Sequence, residues 1–165
     1  MECKALPSEV AAVNVFRGEK YAVSEAIHYT AWRALAIGLQ LHALGVKSED
    51  LIRYSALASL GVELNVLTWA YETVKRYPDL KFDKELNPST CIPFGPERAA
   101  SNLVRGKWSE FFPVVYHTFI RSFFIAAGLY AAGERQNLAK YSLITSAGVQ
   151  VGILSWLYKQ VMIED

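Results

Sequence analysis

The chain has 165 residues, of which 52% are apolar and 20% charged, with a net charge of +1. That length and balance suit one compact domain able to bury a sizeable core. A near-neutral charge with Lys and Arg mixed among Asp and Glu excludes nucleic-acid binding driven by net charge, and the opening Met1 to Pro7, with Glu2 and no apolar run, does not read as a secretory leader.

The first element read in chain order is a short helix, capped by Ser8, running from Glu9 to Arg17 and stopped by Gly18. A long helix follows from about Lys20 to Leu44 and ends at Gly45. A third begins near Ser48, where Glu49 and Asp50 suit the helix dipole, and continues to about Arg76. Residues 75–90, with Pro78 and Pro88 among charged residues, read as a linker. Three helices then recur: a short one with Pro96 near its first position and a stop at Gly106, a long one from about Lys107 to Ala132 ending at Gly133, and a last one from about Arg135 to Ile163. Pro113 is expected to kink or delay the second of these. There is no strand signal.

The recurrence extends to residue identities. A shift of 88 residues carries Cys3 onto Cys91, Glu9 onto Glu97, Thr30 onto Thr118, Arg33 onto Arg121 and Gly45 onto Gly133. After one dropped residue, Tyr54, Ser59, Gly61 and Trp69 fall on Tyr141, Ser146, Gly148 and Trp156. Roughly a third of about 70 positions agree, the signature of an internal repeat. The expected architecture is all-α, a single domain over 1–165. Repeat one covers about 3–74 and repeat two about 91–161. Two hairpins related by a pseudo-twofold axis form a four-helix core with two short helices docked on it.

Thr30, Arg33, Ile37 and Leu41 step by three and four and line one inward face, as do Thr118, Arg121, Ile125 and Leu129. Leu51, Ser55, Ser59, Val62, Val66 and Trp69 form a third such stripe. Arg33 and Arg121 stand out because each interrupts an apolar stripe, and a buried guanidinium needs a partner. Arg33 and Glu63 lie on either side of the turn at Gly45, in the two helices of one antiparallel hairpin, so they are expected to pair. The equivalent pair is Arg121 with Gln150. These four residues are read as a structural network that sets hairpin register, or as a ligand site near the pseudo-axis.

Asn14 with Arg17, and Asn102 with Arg105, close the short helices in the pattern Ala-Ala-x-Asn-x-x-Arg-Gly, with Asn tying the short helix to the long one. Cys3 and Cys91 are free thiols or a disulfide across the axis; two cysteines alone do not decide. Glu25 and His28 have the spacing of a metal site in a helical bundle, but Pro113 replaces the glutamate in the second copy, so no metal is assigned. His42 is read as a partner of its helix's C-terminal dipole. Trp32, Trp69, Trp108 and Trp156 are read as core or hairpin-interface residues. There is no phosphate loop, zinc spacing or nucleophile elbow, and no cofactor is implied.

The stretch from Phe16 to Leu35, with Arg17-Gly18, Tyr21 and small residues at helical spacing, resembles the helix-turn-helix openings of TPR-like repeats and of the HEPN superfamily. The resemblance implies helical hairpins. The repeat is about twice a TPR unit in length, and no Arg is followed four to six residues later by His, so the ribonuclease motif of active HEPN domains is absent. Size and the ending Trp156 to Lys159 are similar to small helical subunits of type III CRISPR effector complexes.

The expected function is a non-catalytic helical assembly or adaptor subunit, cytoplasmic, forming a homo-oligomer or binding a protein partner. The alternatives are a small polytopic membrane protein of two hairpins, a ligand binder or enzyme at the pseudo-axis, and a nucleoprotein subunit. The uncharged run from Tyr141 to Tyr158 keeps the membrane reading open, although polar residues dilute it.

Overall fold

A computed structural model describes residues 7–76 and 95–164. These form α1 (Pro7–Phe16), α2 (Lys20–Ala43), α3 (Ser48–Arg76), α4 (Gly95–Val104), a 3-10 turn (Trp108–Glu110), α5 (Phe111–Ala132) and α6 (Leu138–Glu164). The fold is all-α, with no strand among the described residues. Cys3 and Cys91 lie outside them, as does the linker beyond Arg76. Lys75 and Arg76, assigned to the linker, belong to α3.

Four helix ends share one device. Gly18, Gly45, Gly106 and Gly133 have φ of +81°, +92°, +91° and +109°, in the left-handed region that side chains disfavour. At each, the glycine N–H bonds back three residues and the following N–H bonds back five, as in Gly45 to His42 and Val46 to Leu41. Glu134 to Leu129, Glu19 to Asn14 and Lys107 to Asn102 repeat the longer bond at 3.0 Å. This is the Schellman arrangement, which satisfies carbonyls that the helix leaves open.

Other boundaries differ from expectation. Pro7 opens α1, which its fixed φ suits, so Ser8 sits inside the helix instead of capping it. The segment after Lys107 first makes the 3-10 turn, and Pro113 is accommodated in the opening turn of α5, where its missing N–H costs nothing. α6 starts at Leu138, three residues later than expected, because Glu134 organises the preceding turn.

The described residues cluster into two units, and every long helix contributes to both. One unit holds α1, α4, the 3-10 turn and the adjoining ends of the long helices. There Val10, Ala12 and Val13 of α1 pack against Ala70 of α3, flanked by Val66, Leu67, Trp69 and Val74. The Phe16 ring meets Tyr71 edge-on at 5.7 Å, and Trp69 meets His117 at 5.6 Å.

The other unit spans 27–65 and 118–150 and is built from four helical segments. Its helices touch in a closed cycle. Gly38 of α2 faces Ser55 of α3. Gly61 of α3 lies so close to α5 that a Cβ would overlap the Phe124 carbonyl oxygen. Gly128 of α5 lies against the Leu57 carbonyl in the same way. Gly148 of α6 abuts the Gln40 side chain of α2. Ile37, Leu41, Ile125 and Leu129 are fully buried, as their stripes require.

Candidate functional site

The four-helix unit buries polar side chains beside its apolar core and exposes large apolar ones. Ser59, Thr145 and Ser146 are fully buried, and Glu63, Arg121, Ser122, Ser142 and Gln150 are buried as well. Large apolar side chains point outward: Leu39 is 68% exposed, Leu64 59% and Phe123 70%. Val151 of α6, at 62%, shows the same in the other unit. Trp32 and Trp108, expected in the core or between hairpins, are exposed, while Trp69 and Trp156 are half-buried.

The buried polar groups hold helix to helix within each hairpin. Arg33 Nη1 of α2 donates to Glu63 Oε2 of α3 at 3.0 Å, the pairing expected from the sequence. Both side chains are nearly enclosed, which makes this a low-dielectric ion pair. One turn away, the Ser59 hydroxyl donates to the Thr30 carbonyl at 2.6 Å. In the second hairpin the Ser146 hydroxyl donates to the Thr118 carbonyl at 2.6 Å, the same bond between repeat-equivalent residues.

The next position is where the hairpins part. Gln150 Oε1 accepts from the Thr118 hydroxyl at 3.1 Å, and Arg121 Nη1 reaches the Ser146 carbonyl at 3.4 Å. The expected Arg121–Gln150 pair therefore shares one buried patch, but the contacts run through Thr118 and Ser146. The Ser-to-Thr carbonyl bonds were missed in the sequence, although Thr30/Thr118 and Ser59/Ser146 are identities between copies and were the available signal. Glu63 Oε1 is buried and has no hydrogen-bond partner.

In the other unit, Asn14 is buried and its Nδ2 lies 3.4 Å from the Tyr21 hydroxyl, linking α1 to α2. Asn102 is buried too, and Arg17 and Arg105 are half-buried. The two Asn carbonyls accept the long Schellman bonds described above. His42 is exposed in the last turn of α2. No group of three or more His, Cys, Asp or Glu that could hold a metal ion occurs among the described residues.

Glu134 sits in the turn before α6. Its Oε1 accepts from the backbone N–H groups of Arg135, Gln136 and Asn137 at 3.0, 2.8 and 3.0 Å. Burial works to raise its pKa. The N–H groups of Asn137, Gln136 and Arg135, with the Tyr54 hydroxyl, outweigh burial and hold the carboxyl below its ordinary 4.5. Beside it, the Arg135 guanidinium lies over the Tyr130 ring at 3.7 Å.

Charge is sorted along the long helices as well as across them. Between Arg53 and Glu72 of α3 the only charged residue is Glu63, which is buried. Between Glu110 and Glu134 it is Arg121, also buried. Between Glu25 and Lys47 it is the ion-paired Arg33, and between Lys140 and Lys159 of α6 there is none. Among the described residues one stretch, Trp108–Ala132, is long and apolar enough by composition alone to cross a membrane, with mean hydropathy 1.3. Of its most apolar window, 28% is buried. No protein-family model, curated protein or solved structure matches the chain.

Proposed function

We propose that this chain is a non-catalytic, membrane-embedded helical subunit, formed by duplication of a hairpin unit, whose two hairpins α2–α3 and α5–α6 cross the bilayer. One observation carries the reading: along all four long helices large apolar side chains such as Leu39, Leu64, Phe123 and Val151 are exposed, while the charged residues of the central stretches, Arg33, Glu63 and Arg121, are enclosed. Water would oppose that arrangement, since exposed apolar patches this extensive are rare on soluble monomers. Hydrocarbon favours it, because ionisable groups within the bilayer face the bundle interior and pair there.

Length supports the same reading. α2, α3, α5 and α6 have 24, 29, 22 and 27 residues. A spanning helix needs about 20. Small residues at the α3–α5 contact, Gly61 and Gly128, suit helices that associate by close backbone approach. The buried polar groups serve as interhelical ties.

The test is fractionation of the expressed full-length protein. The reading expects it in the membrane pellet after alkaline carbonate washing, with release only by detergent. Recovery as a detergent-free oligomer of defined size would overturn it and favour a soluble assembly subunit, in which copies of the chain cover the same apolar faces. A ligand site at the polar network is the second reading, favoured by the buried, unpartnered Glu63 Oε1. A stoichiometric small molecule in a native mass spectrum, lost in Glu63→Gln, would support it.

A further inference from the structure

Resting on the spanning reading, we infer that the beginnings of α2 and α5 and the ends of α3 and α6 meet the headgroups of the cytoplasmic leaflet, and that the two hairpin turns lie on the opposite side. Two hairpins return the chain to its starting side. The beginnings of α2 and α5 and the ends of α3 and α6 therefore share one side, and Gly45 and Gly133 share the other.

Cations divide unevenly between these sides. Among the described residues, Arg17 and Lys20 stand at the start of α2, and Lys75 and Arg76 at the end of α3. Arg98, Arg105 and Lys107 precede α5, and Lys159 closes α6. All belong to the unit that holds α1 and α4. The turn side has only Lys47, Arg53, Arg135 and Lys140, and the remaining Arg33 and Arg121 are buried in the helices. Lys and Arg near span ends accumulate on the cytoplasmic side, while Asp and Glu contribute little to orientation.

Aromatic side chains supply a second, independent pointer to a headgroup contact. Phe16, Tyr71, Trp108, Tyr116 and Tyr158 are exposed in that same unit. Trp and Tyr settle at the membrane–water interface, with the ring in the apolar region and the polar edge among headgroups. Cations with long apolar stems reach to the same level. The partner of this surface is phospholipid of the inner leaflet.

Two fusions of the full-length chain in bacterial cells test the orientation, each carried after Asp165. A green fluorescent protein, which fluoresces only when folded in the cytoplasm, is expected to be bright. Alkaline phosphatase, active only when exported, is expected to be inactive. The reverse pair overturns the inference while leaving the spanning reading standing. Single cysteines in a Cys3→Ser, Cys91→Ser background give a second measurement. A membrane-impermeant maleimide added to intact spheroplasts is expected to label Lys47→Cys and Gln136→Cys, and to label Lys75→Cys and Lys107→Cys only after lysis. Labelling of both sets in intact spheroplasts would refute two-hairpin spanning, and the inference with it.

Discussion

The α2–α3 and α5–α6 hairpins make the same interhelical hydrogen bond and differ at the position of Glu63 and Gln150. Both begin with a Ser hydroxyl donating to a Thr carbonyl at 2.6 Å. Both set an Arg one turn beyond that Thr. The first then closes with an ion pair of 3.0 Å, and the second with an amide accepting from Thr118. The neutral hydroxyl-to-carbonyl tie therefore serves both hairpins, and the carboxylate is an addition specific to one. A shared packing frame tolerates different charge states at its centre, provided each Arg finds acceptors.

Changes at the frame itself should cost most. Gly61→Leu and Gly128→Leu both force a side chain into the facing backbone of α3 or α5. Each is expected to abolish the folded state, at about 3 kcal/mol or more, since backbone cannot yield as a side chain can. Gly148→Ala, which meets only the movable end of Gln40, is expected to cost far less. Equal losses at all three positions, in detergent-solubilised thermal unfolding, would contradict this ranking.

The ion pair comes next. Glu63→Ala strands a buried Arg33 and is expected to destabilise by about 3–5 kcal/mol. Glu63→Gln makes the first hairpin resemble the second and is expected to cost less than Glu63→Ala. The reversal Arg33→Glu with Glu63→Arg should recover part of what either single change loses. A double mutant no better than the worse single would show that the pair does not set register.

Glu134 distinguishes the two turns, since its repeat equivalent is Val46. A carboxyl held below 4.5 stabilises the fold above that value and loses the contribution as pH falls through its folded pKa. Glu134→Gln is expected to cost about 1–2 kcal/mol at pH 7, and the difference from wild type should vanish by acid pH. A cost that persists undiminished at low pH would mean that shape, and not charge, organises the turn. The smallest effect is the most symmetric one. Ser59→Ala and Ser146→Ala should each cost about 1 kcal/mol and agree within about 0.5. A clear disparity would mean that the neighbouring ion pair alters the strength of the shared bond.

The ends of the helices were readable in the sequence because glycine alone tolerates the positive φ of a Schellman turn, and Gly18, Gly45, Gly106 and Gly133 each marked one. The Arg33–Glu63 pair was readable because Arg33 interrupts an apolar stripe and Glu63 is the lone charge in the middle of the helix that follows the turn at Gly45. The late start of α6 was not, since it depends on Glu134 reaching three backbone N–H groups ahead of it. The outward faces were also hidden. Periodicity shows that a stripe exists, yet helices apolar on nearly every side carry no contrast to say which stripe is enclosed. Trp32 and Trp108 were misassigned for that reason. Of the residues aligned between the copies, Ile37, Leu41, Ile125 and Leu129 are fully buried, whereas the aligned Tyr71 and Tyr158 are exposed.

The ion pair also bears on how such a chain is made. On the spanning reading, α2 emerging alone would carry an uncompensated guanidinium into hydrocarbon, at a penalty of about 2.5–3.5 kcal/mol. The partner carboxylate comes later in the chain, halfway along α3 beyond the short turn at Gly45. α2 and α3 would therefore leave the ribosome's insertion machinery as a couple, with the first helix waiting at the lateral gate until the second supplies its counter-ion. The closing hairpin ends in α6, whose central stretch carries no charge at all, and that last segment could partition into lipid without an escort.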